Sequence, residues 1–188
     1  SYFVQTGEVE QGLNLLRTLL KNHPANAFIR YRLASYLLDY AKQPEEAHRQ
    51  LETLLSYDPG YAPAYVRLAE IAEQEEDHLL AKNYLEKARE LDPHYPEIDY
   101  RLGLLTQMHF PDNHEEILQY FKRAVKADKQ NVDAHYRYAM LLNEIEGKEK
   151  KAAKYFKKTL ALQPKHPFAN YDLALLYYQR QDWEKAAR

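Results

Sequence analysis

Cysteine is absent from this chain, so disulfides and thiolate metal sites are excluded. Glycine occurs only five times, and none of the five builds a Gly-rich phosphate loop. No apolar run reaches the roughly 18 residues of a membrane span. The net charge is −2, so the strongly basic balance of a nucleic-acid-binding domain is missing. The opening Ser1-Tyr2-Phe3-Val4 lacks a basic region followed by an apolar stretch. No signal peptide is read there, which leaves the location open with the cytoplasm favoured. Serines are too sparse for a convincing nucleophile–His–Asp set. His109, Asp112, His114 and Glu116 crowd one stretch but do not form a helical i, i+4 ligand pair. No metal site, no cofactor and no catalysis are expected.

What is present is tyrosine and periodicity. Hydrophobic residues make up 45% and charged residues 29%, a globular balance that is incompatible with disorder. A four-residue signature occurs five times: Tyr31-Arg32-Leu33-Ala34, Val66-Arg67-Leu68-Ala69, Tyr100-Arg101-Leu102-Gly103, Tyr136-Arg137-Tyr138-Ala139 and Tyr171-Asp172-Leu173-Ala174. The spacings are 35, 34, 36 and 35 residues. A fixed period of this size means one supersecondary unit stacked on copies of itself, each burying its apolar face on its neighbours.

Within the period, apolar residues recur at helical spacing and prolines stop each helix. With the signature's third residue set as the seventh place, four complete units run 27–61, 62–95, 96–131 and 132–166. Residues 1–26 and 167–188 read as partial units of the same array, so the chain reads as a fragment. In the first partial unit Gly7 is expected to turn the chain, with a helix from Glu8 to Lys21. Asn26 and Asp77 are expected N-caps, Pro44 opens a helix, and Asn113 with Glu116 has capping-box spacing. The last unit is expected to enter its second helix just after Asp182 and Trp183.

Small residues hold the eighth place (Ala34, Ala69, Gly103, Ala139, Ala174). They recur near the twentieth (Gly12, Ala47, Ala81, Ala152, Ala186), with Ile117 the exception. A large residue follows four places later (Leu16, Leu51, Leu85, Phe121, Phe156), and a proline ends most units. Small residues let two helices of a hairpin approach closely. This combination resembles the tetratricopeptide repeat, over essentially the whole chain, with residues 62–95 fitting without a gap. The usual bulky residue at the fourth place is mostly missing: Arg30, Asp99 and Asn170 stand there, and Tyr65 comes nearest.

The resemblance implies an all-α fold, a right-handed α-solenoid of stacked antiparallel helix hairpins. It also implies a non-catalytic scaffold that binds a protein or peptide segment in a concave groove lined by first helices. The groove residues would be Tyr31, Arg32, Ser35, Val66, Arg67 and Glu70, then Tyr100, Arg101, Leu104 and Gln107. Tyr136, Arg137, Met140 and Asn143 would continue the lining, and Tyr171, Leu175 and Tyr178 would complete it. Tyrosine with Leu and Met offers apolar area with hydroxyl handles. The arginine ladder suits carboxylate or phosphate, although pairing with neighbouring acids is the simpler use of such residues. The carboxylate clamp of chaperone-binding relatives needs asparagine at the ninth place. Ser35, Glu70 and Leu104 stand there instead, so chaperone tails are not expected to bind in that way.

Charge is unevenly placed. Residues 70–99 carry ten acids against three bases, while residues 120–165 carry twelve bases against five acids. Solvated outer faces account for this most simply. The alternatives are a self-associating array, joined as a homo-oligomer through open ends or opposed charge blocks, and an RNA-binding helical repeat. Nucleic acid is the less expected partner because of the acidic middle.

Overall fold

The computed structural model describes residues 2–179. Among these, all regular structure is helical. The helices are α1 (Tyr2–Asn22), α2 (Ala27–Tyr36), α3 (Pro44–Tyr57), α4 (Ala62–Gln74), α5 (His78–Leu91), α6 (Pro96–His109), α7 (His114–Ala127), α8 (Val132–Asn143), α9 (Glu149–Leu162) and α10 (Ala169–Gln179). They form an all-α helical repeat in which α2 packs on α3, α4 on α5, α6 on α7 and α8 on α9. Two compact units are distinguished, Ser1–Pro93 and His94–Arg188. Asp182, Trp183 and Ala186 lie outside the described residues.

Local chemistry sets most helix starts. Asn26 accepts from the Ile29 N–H at 3.0 Å, Asp77 from Leu80 at 3.0 Å and Asn131 from Ala134 at 2.8 Å, each satisfying an orphan donor of the first turn. Pro44 and Pro96 open α3 and α6, where a missing N–H costs nothing. Gly147 takes φ +78 in the turn before α9, a conformation that suits glycine.

Three local expectations are corrected. The helix of the first partial unit does not break at Gly7: α1 runs through it without interruption. A lone glycine costs about 1 kcal/mol inside a helix, and neither a proline nor a cap follows to stop the chain. The first helix of residues 27–61 does not continue as regular α-helix to Tyr40. It widens into a π-helical turn over Leu37–Ala41 and ends with Lys42 at φ 56. This unit holds one residue more than the 34-residue register, and a wider turn absorbs such an insertion without breaking the helix. The capping box at Asn113 is not formed: that side chain makes no bond to the helix backbone and donates instead to the Glu116 carboxylate at 3.2 Å.

Each unit has its own core. In the first, Leu33, Leu37, Leu51, Leu54, Leu68 and Ile71 pack around Leu13. In the second, Phe121, Tyr138, Leu142, Phe156 and Leu176 gather around Ala124, Ala139 and Ala152. Burying each large side chain contributes about 1.5–3 kcal/mol. The small eighth and twentieth places are the reason the helices reach one another, and Ala34, Ala47, Ala69, Ala81, Ala139 and Ala152 are fully buried.

Candidate functional site

The fourth place does not carry a bulky side chain as a rule, yet it has a consistent task. Arg30 donates to the carbonyl of Pro24 at 2.8 Å, and Tyr65 to Pro59 at 3.3 Å. The His135 ring meets the Lys129 carbonyl at 3.1 Å, and Asn170 donates to Pro164 at 3.3 Å. Each partner lies six residues back, in the turn that closes the preceding unit. Four unlike side chains thus do the same work, which hydrophobic patterning in the sequence does not reveal. Asp99 has no proton to give. It is buried instead beside α7, where Arg123 donates to it at 2.8 Å.

Fixing α2, α4, α8 and α10 on the preceding turns sets which way their remaining side chains point. In the first unit, Tyr31 is half-buried and its ring lies 5.4 Å from that of Tyr61. Arg32 is exposed, whereas Ser35 and Val66 are each 6% exposed and serve packing rather than open surface. Arg67 donates from both terminal nitrogens to Asp39, at 3.1 and 3.0 Å, and also to Glu70 at 2.7 Å. Burial alone would weaken the Arg67 charge. The hydrogen bond and charge of Glu70, with Tyr31 and Asp39, outweigh it and hold the proton more firmly than usual. Arg67 and Glu70 are therefore occupied within the chain.

In the second unit, polar links join the first helices in a row. Arg137 on α8 donates to Gln107 on α6 at 3.0 Å. Tyr136 on α8 donates to Asp172 on α10 at 2.7 Å. Burial, then the hydrogen bond and charge of Asp172, push the Tyr136 phenol up to about 12 against the opposing influence of Arg137. It stays protonated at neutral pH and remains a donor. Tyr100 and Leu104 on α6, with Met140 on α8, are half-buried against the core. Arg101 and Asn143 are half-buried. Tyr171, Leu175 and Tyr178 stand open on α10, at 69%, 38% and 58% exposure.

The Tyr136 ring also meets two residues that sequence reasoning passed over. His166 lies 4.6 Å from it and Phe168 lies 6.4 Å away, stacked. His166 is buried, and its Nδ1 accepts from the backbone N–H of Ala169 at 3.1 Å and of Phe168 at 3.4 Å. It therefore caps α10. The signal was weak: histidine is not a usual capping residue, and Pro167 masks the helix start. An open pocket of about 310 Å³ lies here, lined by Tyr136, Arg137, Gln163, His166 and Phe168 with Asp133.

Among the described residues, no group of three or more His, Asp and Glu is placed to hold a metal ion. Glu116, from the crowded stretch near His109, accepts from Tyr120 at 2.9 Å. No helix among the described residues is long and apolar enough to cross a membrane.

A family model described as tetratricopeptide repeat matches residues 62–95, and a second of the same description matches 118–167 and 147–188. Together they cover more than half of the chain. The TPR repeat-containing protein YpiA of Bacillus subtilis is 24% identical over 165 residues, covering 86% of this chain and 38% of YpiA. The human protein O-mannosyl-transferase TMTC1 is 23% identical over 176 residues, covering 93% of this chain and 20% of its own length. The chain thus spans less than two fifths of the curated relatives it matches. The crystal structure of YrrB, described as a TPR protein with an unusual peptide-binding site, superposes with a TM-score of 0.75 at 23% identity, covering 91% of this chain and 86% of YrrB. Pseudomonas aeruginosa pilF superposes with a TM-score of 0.73 at 20% identity, covering 98% and 82%. Both likenesses are of fold.

Proposed function

This chain belongs to the tetratricopeptide repeat family, and on that premise we propose that it is a protein-interaction scaffold. Its binding face is formed by the first helices of the second unit, α6, α8 and α10. The ligand is a peptide or protein segment with apolar anchors.

One observation carries this reading. Tyr171, Leu175 and Tyr178 are open to solvent and recur at i, i+4 and i+7 on one face of α10, and Phe168, also open, stands in the turn just before it. Contiguous apolar surface of this kind marks interaction sites on soluble domains. Tyr136, tied to Asp172 at 2.7 Å, extends the same face onto α8. Tyrosines give wide contact area with few torsions to freeze. The first unit contributes less, because Ser35 and Val66 are buried and Arg67 is paired. The peptide-binding site named for YrrB supports the same class of ligand.

The test is selection of peptides on the full chain from a display library, followed by calorimetric titration of an enriched peptide. Tyr171→Ala with Tyr178→Ala is expected to weaken that peptide by about 10- to 100-fold, as loss of two aromatic anchors does. Equal affinity in the double variant, or no enriched peptide, overturns the reading.

A self-associating array is the second reading, supported by Leu15 and Leu19, which are 61% and 38% exposed one turn apart on α1. Light scattering over a range of concentrations separates the two: a monomer throughout removes it.

A further inference from the structure

We propose that the outer face of α9 docks the second unit on an anionic lipid bilayer. The observation is a ladder of lysines. Lys150, Lys151, Lys154, Lys157 and Lys158 are all exposed and lie on one helix of fourteen residues. At 3.6 residues per turn they share an arc of about 120°. Glu149 is the one acid on that helix, and its carboxylate accepts from the Gly147 N–H at 2.9 Å, in the preceding turn. Among the described residues, none of the five lysines enters an ion pair.

Tyrosine rings order the ladder. The Lys151 ammonium sits 5.4 Å from the Tyr138 ring, Lys157 5.6 Å from Tyr177 and Lys158 4.8 Å from Tyr155. These contacts draw on ring quadrupoles and leave the positive charge unneutralised. Lys148 and Lys165, both exposed, continue the charge beyond the two ends of the helix.

The composition of the face selects the ligand. It holds lysine and no arginine, so it offers hydrated point charges rather than forks that grip single phosphates or carboxylates. No large apolar side chain of α9 is among the exposed ones, so the face lacks the apolar centre that a protein partner needs. Single-stranded nucleic acid binders interleave open aromatic rings with their cations. Here Tyr138 and Tyr177 are buried, and Tyr155 is covered by stacking with His135. A diffuse, laterally mobile layer of anionic headgroups requires none of these features and responds to clustered lysine alone.

The experiment is sedimentation of the full chain with phosphatidylcholine vesicles, with and without about 30% phosphatidylserine, at about 0.1 M salt and at higher salt. Binding is expected only with phosphatidylserine, and it should fall as salt rises. Lys151→Gln with Lys154→Gln and Lys158→Gln is expected to lower partitioning on the order of 100-fold, since each lysine near such a surface contributes roughly fivefold. Lys21→Gln with Lys42→Gln and Lys87→Gln removes equal charge elsewhere and should change it little. Circular dichroism checks that both variants remain helical. The proposal is overturned by absence of binding to anionic vesicles, by equal loss in both variants, or by preference for an RNA oligonucleotide over the vesicles. Salt-sensitive self-association that displaces vesicle binding overturns it as well.

Discussion

Gly103 and the ring of Phe121 are in direct contact across the α6–α7 hairpin: a Cβ on Gly103 would meet the ring at 2.9 Å. The other repeats place alanine where Gly103 stands, and the hairpins of the first compact unit place leucine (Leu51, Leu85) where Phe121 stands. Here the partner helix also carries Ile117 at a place usually held by alanine. The missing methyl on α6 makes room for the extra volume on α7. Phe121 is fully buried, so moving its ring disturbs the surrounding core.

Gly103→Ala is therefore expected to destabilise the chain. Overpacking costs about 1–3 kcal/mol, offset by the roughly 1 kcal/mol that alanine gains over glycine in a helix. Adding Phe121→Leu should restore part of the loss, so the two changes are non-additive. Denaturant unfolding of the wild type, both singles and the double variant measures the coupling. A fully additive double variant would sink the argument.

The fourth-place donors predict an exchange. Arg30 joins α2 to the Pro24 carbonyl, to Gln50 at 2.7 Å and to Tyr57 at 3.0 Å. Arg30→Leu removes all three bonds, at about 1–2 kcal/mol in this half-buried setting. Arg30→Tyr keeps one, since Tyr65 reaches the matching Pro59 carbonyl. The expected order of stability is wild type, then tyrosine, then leucine. Thermal unfolding decides it, and leucine matching the wild type would remove the fourth place from the account.

His135 makes stability depend on pH. Burial pushes its pKa down, the Lys129 carbonyl opposes this, Lys158 adds to the depression and Asp128 opposes it. Its Nε2 faces the Lys129 carbonyl, and its Nδ1 is buried without a partner. The unfolded chain takes up the proton near 6.5 and the folded chain only at lower pH. This contribution to stability is thus complete above about 6.5 and declines as pH falls towards the folded value. His135→Gln retains a donor for Lys129 and cannot titrate. Unfolding free energies measured from pH 7.5 down to about 5.5 should fall more steeply in the wild type than in the variant. Parallel curves would assign the pH dependence elsewhere.

The repeat was legible because its signals are local and recur. Leu33 and Ala34, and their counterparts in later units, repeat at helical spacing, and prolines close the units. Gly7 does not end α1, because glycine weakens a helix without terminating it. The π-turn at Leu37–Ala41 was hidden because an inserted residue reveals its presence in the spacing but not where the backbone absorbs it. Arg67 shows the same limit at the candidate site. Its place in the ladder could be counted, but its commitment to Asp39, 28 residues earlier, depends on how successive hairpins stack. His166 and Phe168 belong with Tyr136 for the same reason: they lie in a turn, and packing brings their rings together.

The amino-acid order by itself determined the all-α repeat, its period and its small-to-large packing code, since helix periodicity and side-chain volume are properties of neighbouring residues. Tertiary structure decided which polar side chains are already satisfied and which faces stay open. Arg67 is paired, Ser35 is buried, and Tyr171, Leu175 and Tyr178 remain exposed. That division depends on contacts between residues about a full repeat apart in the chain, and no local pattern encodes it.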